Sequence, residues 1–216
     1  MRPDVKINDL WMFAMGWLRE EIDFPTPQSQ TNTVVVPGRN APIRFTEALG
    51  WVSYQPRSFS ITLSMLGSRE KFNQRKDILA NLYAGQLCQV ILSEEPDLYA
   101  VGTLELEPAY DPLTGKGQMV LSCSDGDAYR YHTEETEVSI TGGGTAILNN
   151  DYMPVVPTVV TTAETALSWS IGEDVFRKSV SAGTWTFPEL ELQEGKNSVS
   201  ITGEGTTTFR YREGRL

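Results

Sequence analysis

The 216 residues include 28 acidic and 18 basic side chains, which gives a formal net charge of −10 and an isoelectric point near 4.6. Proteins that hold nucleic acid neutralise its phosphates with clustered Lys and Arg, and no such cluster is present, so a nucleic-acid-binding role is disfavoured. The same acidic character disfavours docking on anionic lipid.

Residues 10–18 form an apolar run that follows Arg2 and Lys6, as the core of a signal peptide would. Nine residues are far too few to cross a bilayer. Arg19 follows directly, where a signal peptidase would need small residues. We therefore predict that this run is the first buried strand and that the chain does not insert into a membrane.

Residues 25–33 are rich in Pro and polar side chains, which predicts a loop or extended arm with little to pack. The three valines at 34–36 follow and predict a short strand. Pro37 and Gly38 then predict a turn, because this pair of residues is a strong turn signal.

A strict alternation follows at residues 58–65. The apolar positions are Phe59, Ile61, Leu63 and Met65, and every position between them carries a hydroxyl. A period of two places the apolar side chains on one face of a strand and the hydroxyls on the other. One face of this strand is expected to meet a core and the other to meet water or a partner.

The pattern of residues 68–84 predicts a helix. Ser68 is a suitable N-cap, because its hydroxyl can accept from an amide of the first turn. Gly85 supplies a stop. The expected apolar stripe consists of Phe72, Leu79, Leu82 and Tyr83, with Ile78 beside them.

Three strands are predicted after the helix, at residues 87–92, 99–106 and 118–124, joined by turns as an antiparallel meander. Cys88 and Cys123 lie in the first and last of these runs. The sequence favours two buried, reduced thiols and synthesis in the cytoplasm, and a disulfide between them stays open.

The composition changes at residues 133–145, which include the glycine run 142–144. We place a domain boundary here and predict domains at 1–137 and 138–216. Beyond it, Trp169, Trp185 and Tyr211 lie in segments where apolar and hydroxyl side chains alternate, and no helix pattern interrupts them. The second domain is therefore expected to be a small β-sandwich. The first is expected to be a larger, β-sandwich-like domain with one helix and β-hairpins, so that the whole chain is mostly β.

The residue types that carry catalysis and metal binding are poorly represented. His132 is the single histidine of the sequence, so most catalytic triads and histidine-rich metal sites are excluded. Ser68 and Lys71 have the spacing of a nucleophile and its base in β-lactam-binding enzymes, but the companion motifs are missing. Asp125 begins no EF-hand, because the required Gly and Glu are absent from its sixth and twelfth positions. We predict no catalytic residue, no metal ligand and no cofactor.

Several stretches, taken in order, resemble the distal tail protein family of phages and prophages with long, non-contractile tails. They are residues 15–17 with Pro25 and Pro27, 34–40, 46–48, Tyr54 with Arg57, 79–85, 96–102, 187–190, 194–199 and 209–216. Two positions depart from the family pattern. Ala41 stands where its turn usually carries Gly, and residues 127–131 replace its usual Pro-Tyr-Lys-like close of the first domain.

The resemblance implies a structural protein that forms a six-fold ring at the tail tip of a virion, after synthesis in the cytoplasm of the bacterial host. The first domain would join the tail tube protein to the tail-associated hub protein. The second, a galectin-like or carbohydrate-module-like sandwich, would be a platform for baseplate or receptor-binding proteins. We assign the contact between copies to the arm, with these residues: Pro25, Pro27, Val36, Pro37, Gly38 and Arg39.

A second reading stays open at this point. The protein could be a carbohydrate-binding sandwich that attaches to bacterial cell-wall glycans, with Trp169, Trp185 and Tyr211 stacking on sugar rings. The two readings are compatible, because a tail-tip platform can also touch the cell wall. If the chain forms a six-fold ring, acidic side chains that line its central channel would repel the DNA backbone.

Overall fold

A computed structural model describes residues 2–31, 33–44 and 52–216 of the chain. The family-like stretch 46–48 lies outside the described residues. The chain forms two compact units, Met1–Arg130 together with Leu216, and Tyr131–Arg215. The structural division therefore falls before the sequence-based boundary at 137, because the strand that contains residue 137 already pairs within the second unit. Both units are built mostly of antiparallel strands, as the sequence predicts.

The first unit contains nine strands and a helix among the described residues. Its elements are β1 (Val5–Ile7), β2 (Leu10–Trp11), β3 (Leu18–Asp23), β4 (Thr33–Val34), β5 (Ile43–Arg44), β6 (Arg57–Leu66), α1 (Arg69–Tyr83), β7 (Gln86–Leu92), β8 (Glu95–Asp111) and β9 (Lys116–Gly126). Seven of these strands are neighbours in the antiparallel order β2-β1-β7-β8-β9-β6-β3. The helix α1 packs on β7, β8 and β9.

The prediction that residues 10–18 form one buried strand is wrong. Asn8 adopts a left-handed backbone at φ +52°, a conformation that Asn tolerates better than most residues. The chain therefore reverses after β1, and the apolar run is divided between β2, a turn and the start of β3. Met12 and Trp17 are fully buried, whereas Phe13 is 52% exposed.

The predictions for the alternating strand and the helix are confirmed in type and position. Phe59, Ile61, Leu63 and Met65 of β6 are buried, whereas Leu66 at its end is 72% exposed. Of the hydroxyl-bearing residues, Ser64 is buried and the others are exposed or half-buried. The Ser68 hydroxyl accepts from the Lys71 amide at 3.3 Å. Phe72, Leu79 and Tyr83 are buried as expected. The apolar stripe is narrower than predicted, because Ile78 and Leu82 face away from the core and are 48% and 45% exposed.

The predicted meander is also present, as β7, β8 and β9. Strand β8 is longer than the sequence suggests and begins at Glu95, because a tight turn after Leu92 starts the pairing at once. Cys88 and Cys123 are both buried and free.

The second unit is a β-sandwich, and all of its residues are described. After β10 (Arg130–His132), which straddles the two units in the sequence, its strands are β11 (Thr136–Thr141), β12 (Gly144–Asn150), β13 (Thr158–Thr161), β14 (Thr165–Ile171), β15 (Asp174–Val180), β16 (Gly183–Thr186), β17 (Gly195–Gly203), β18 (Thr206–Tyr211) and β19 (Gly214–Arg215). Two four-stranded sheets, β11-β18-β13-β16 and β12-β17-β14-β15, enclose one core. Leu148, Val199 and Phe209 are fully buried in it.

Within the described residues, no helix combines the length and apolar character needed to cross a bilayer.

Candidate assembly surface

An exposed apolar segment of the first unit is a hairpin arm, of which the structure describes residues 25–31, 33–44 and 52–56. Strands β4 and β5 pair with each other through Val34 and Ile43, and within the described residues they pair with no other strand. Val34, Val35 and Val36 are 50%, 78% and 37% exposed. Val34 at the end of β4 and the two valines that follow it are therefore three adjacent apolar side chains exposed to water.

The tip of the arm is the turn that the sequence predicts. The Arg39 amide donates to the Val36 carbonyl at 3.1 Å. Gly38 has φ +85°, in the left-handed region where a side chain is strained, although no atom of the described residues lies within 4 Å of the position of a Cβ. Val36, Pro37, Gly38 and Arg39 are all exposed at this tip.

The root of the arm is held by backbone hydrogen bonds between its two legs. The Gln55 amide donates to the Gln28 carbonyl at 2.8 Å, and the Gln30 amide donates to the Ser53 carbonyl at 2.7 Å. Pro25 is exposed here and Pro27 is buried. The structure thus separates the predicted contact residues into four at the tip and two at the root, and Pro27 is not available as a surface residue.

Sequence reasoning missed the residue that fastens this root. The side chain of Arg57 is buried and donates to the Pro25 carbonyl at 2.7 Å and to the Ala128 carbonyl at 2.9 Å. Its ring neighbour is Phe24, whose centroid lies 5.2 Å from the guanidinium carbon. The available signal was an Arg at the start of a strictly alternating strand, within the stretch Tyr54 to Arg57 that resembles the distal tail family.

The face of the sheet opposite the core is acidic where β8, β9, β6 and β3 lie side by side. Two cross-strand rows have a carboxylate at each end and mostly hydroxyls between. They are Glu105-Ser122-Ser60-Asp23 and Glu107-Val120-Thr62-Glu21. All four carboxylates are exposed, and no described basic side chain forms an ion pair with them. Nearby Glu20 differs, because its hydrogen bond from Lys116 lowers its pKa.

The aromatic residues considered for sugar stacking do not form a surface patch. Trp169 and Tyr211 are 4% and 3% exposed, so both belong to the core of the sandwich. Tyr211 donates its hydroxyl to the Asn149 carbonyl. Trp185 is half-buried, and its indole donates to the Ser181 carbonyl at 3.0 Å. The prediction that the three rings present a stacking surface is corrected for Trp169 and Tyr211, because strand alternation turns them inward.

The remaining residues considered for chemistry have structural roles. Ser68 caps α1. The His132 Nε2 atom lies 3.6 Å from the Asp151 carboxylate and 3.4 Å from a guanidinium nitrogen of Arg215, within the second unit. Among the described residues, no group of three or more His, Cys, Asp or Glu side chains is arranged to hold a metal ion.

Comparisons with known proteins place the fold. No family model matches the chain, and no curated protein matches it. Among solved structures, the chain is similar to the Dit protein (gp 19.1) of SPP1, described as a paradigm of the hub adsorption apparatus in phages that infect Gram-positive bacteria. The TM-score is 0.71 at 13% identity, over 98% of this chain and 99% of that chain. The resemblance to the distal tail family is therefore confirmed at the level of the fold: this chain has the fold of a phage Dit protein.

Proposed function

We propose that the chain is a non-enzymatic structural protein of the phage or prophage tail tip, which assembles into a six-fold ring. The observation that carries this proposal is the hairpin arm, because its valines are exposed in the isolated chain. Full burial of one such side chain contributes about 1.5–3 kcal/mol. The whole-chain similarity in fold to a Dit protein supports the same proposal.

An arm that reaches a different surface of the next copy makes a head-to-tail contact. Contacts of this kind generate closed rings when the rotation between copies closes. The tip residues Val36, Pro37, Gly38 and Arg39, together with Val35, form the contact in this proposal. Pro25 and Pro27 contribute by holding the root.

The two units have different roles in this proposal. The first forms the ring and joins the tail tube protein to the tail-associated hub protein. The second is a platform for baseplate or receptor-binding proteins. The chain is made in the cytoplasm of the bacterial host and is located at the tail tip of the virion.

The acidic face of the first unit suits the lining of a DNA channel. Its four unpaired carboxylates are Glu21, Asp23, Glu105 and Glu107. They would repel the phosphate backbone, so that DNA passes without adhering. Replacing all four with the corresponding amides is expected to slow DNA ejection from assembled phage. Ejection at the wild-type rate would contradict this assignment.

Glycan binding through Trp169, Trp185 and Tyr211 gains no support from their positions, because two of the three rings are core residues. The tail-tip proposal therefore ranks first.

The test of the proposed function is the solution mass of the purified protein, measured by light scattering over a concentration series. Negative-stain images of the large species give its symmetry. A ring of six copies with an open centre is the expected result. A chain that stays monomeric at high concentration, both alone and mixed with the tail tube protein, would contradict the proposal.

A further inference from the structure

Arg57, at the base of the hairpin arm, is a buried cation whose hydrogen-bond partners are backbone carbonyls. Arg57 is 2% exposed. One terminal nitrogen donates to the Pro25 carbonyl at 2.7 Å. The other donates to the Ala128 carbonyl at 2.9 Å, and Nε reaches the same oxygen at 3.3 Å. All three nitrogens of the guanidinium are therefore bound by neutral backbone oxygens.

No described carboxylate forms an ion pair with Arg57. Glu95, whose charge acts on Arg57, pairs instead with Arg130. Burial, and then the charge of Arg130, lower the pKa of Arg57 to about 10, and Glu95 acts in the opposite direction. The side chain still carries its charge at neutral pH. Burying a charge without a paired carboxylate costs stability, so this arrangement is better explained by the geometry that it imposes.

That geometry joins the two legs of the arm. The outgoing leg begins at Pro25, whose carbonyl accepts from the guanidinium. The returning leg ends at Arg57 itself, which opens β6. The ring of Phe24 stacks on Phe59 at 4.7 Å and lies 5.2 Å from the guanidinium carbon, so it supports the same joint from the core. One side chain thus closes the base of a loop of about thirty residues, which limits the directions that the arm can take.

We propose that Arg57 is a positioning residue that holds the arm pre-organised for docking on a second copy of the chain. This inference rests on the proposed function, in which the arm makes the contact between copies. Holding a segment in its bound conformation before it binds removes the ordering cost from the association step. A lysine cannot replace the arginine, because an ammonium group lacks the rigid fork that spans two carbonyls.

The experiment compares Arg57→Lys with wild type by amide hydrogen exchange in the monomer at low concentration. The reporters are the amides of Gln30 and Gln55, which bond across the root. We expect both to exchange at least about tenfold faster in the variant, because hydrogen bonds to a charged group are lost there. The concentration at half-assembly is expected to rise by a similar factor.

The matched control is Arg75→Lys. Arg75 is partly buried and also donates to a backbone carbonyl, that of Gly16, at 2.6 Å, but outside the arm. It should leave the Gln30 and Gln55 amides at the wild-type rate. If Arg57→Lys does not fold, Phe24→Leu is the milder variant. It removes the supporting ring and is expected to accelerate the same two amides by a smaller factor.

Unchanged exchange at both amides in Arg57→Lys would overturn the proposal. An equal acceleration at the core amides of β6 and β9 would also overturn it, since that result describes a general loss of stability. If Arg57→Lys exchanges the Gln30 and Gln55 amides faster but assembles at the wild-type concentration, Arg57 holds the root and has no role in docking. If the wild-type chain itself does not assemble with its neighbours, the proposed function and the docking role fail together, and the exchange comparison still decides whether Arg57 holds the root.

Discussion

The indole Nε1 of Trp169 donates a hydrogen bond to the backbone carbonyl of Glu189 at 3.0 Å. The ring also stacks on Phe176, with centroids 5.6 Å apart. Trp169→Ala is therefore expected to destabilise the second unit by about 3–5 kcal/mol, because it removes a buried aromatic side chain and leaves a cavity. Denaturant unfolding followed by near-ultraviolet circular dichroism measures this loss.

The matched control is Trp185→Ala. Trp185 is half-buried, so its removal should cost clearly less than that of Trp169. Equal losses for the two variants, or a loss below about 1 kcal/mol for Trp169→Ala, would contradict the assignment of Trp169 to the core.

Val35→Asp is expected to prevent assembly without unfolding the chain. Val35 is 78% exposed, so the substitution should change the free energy of unfolding by no more than about 0.5 kcal/mol. A carboxylate buried at the contact between copies would have no partner and would oppose association. Solution mass by light scattering measures the effect. Val175→Asp is the control, since Val175 is 62% exposed in the second unit and should leave assembly unchanged. Assembly of both variants at the wild-type concentration would show that the arm valines lie outside the contact.

Ser68→Ala is expected to lower the stability of the first unit by about 1 kcal/mol, because the Lys71 amide loses its acceptor at the start of α1. Urea unfolding measures the difference. Ser58→Ala, at an exposed position of β6, serves as the comparison and should change stability by no more than about 0.5 kcal/mol. The assignment of Ser68 as the helix cap would be wrong if the two variants proved equally stable.

Stability is expected to fall in alkaline solution, and at a different pH in each unit. Burial raises the pKa of the Cys123 thiol from 9.0 to about 11 and that of the Tyr211 hydroxyl from 10.0 to about 12. The Cys123 thiol and the Tyr211 hydroxyl therefore bind their protons more tightly in the folded protein than in the unfolded chain. The resulting stability is fully present below the unfolded pKa and is lost as the pH rises through the folded pKa.

The first unit should weaken between about pH 9 and 11 and the second between about pH 10 and 12, each by on the order of 2–3 kcal/mol. Cys123→Ala and Tyr211→Phe should flatten the respective profiles, even if each lowers stability at neutral pH. Unfolding midpoints recorded from pH 8 to about 12 test this. Profiles in the two variants that parallel the wild type would assign the alkaline transitions to other groups.

Local sequence patterns were sufficient to predict the structure where the relevant contacts lie close in the sequence. The alternation that ends at Met65 specifies which side of β6 is buried, because successive side chains of a strand point to opposite faces. The hydroxyl of Ser68 and the glycine at 85 mark the ends of α1, because capping involves only the adjacent turn. Pro37 and Gly38 specify the tip of the arm for the same reason.

Contacts between distant segments were not predictable from those patterns. Apolar density at residues 10–18 suggested one buried strand, but a reversal at Asn8 leaves Phe13 exposed. The inward orientation of Trp169 depends on which face of β14 meets the opposing sheet, and strand alternation alone allows either face.

The sequence by itself determined that the chain is mostly β, that one helix follows the alternating strand, and that a Pro- and Gly-containing arm precedes it. Those properties depend on backbone preferences and on hydrophobic periods within single segments. Only the tertiary structure decided that Arg57 binds the carbonyl of Pro25, 32 positions earlier, and that of Ala128, 71 positions later. A buried charge satisfied by backbone oxygens leaves no mark in the residue types of its partners, since every residue carries a carbonyl.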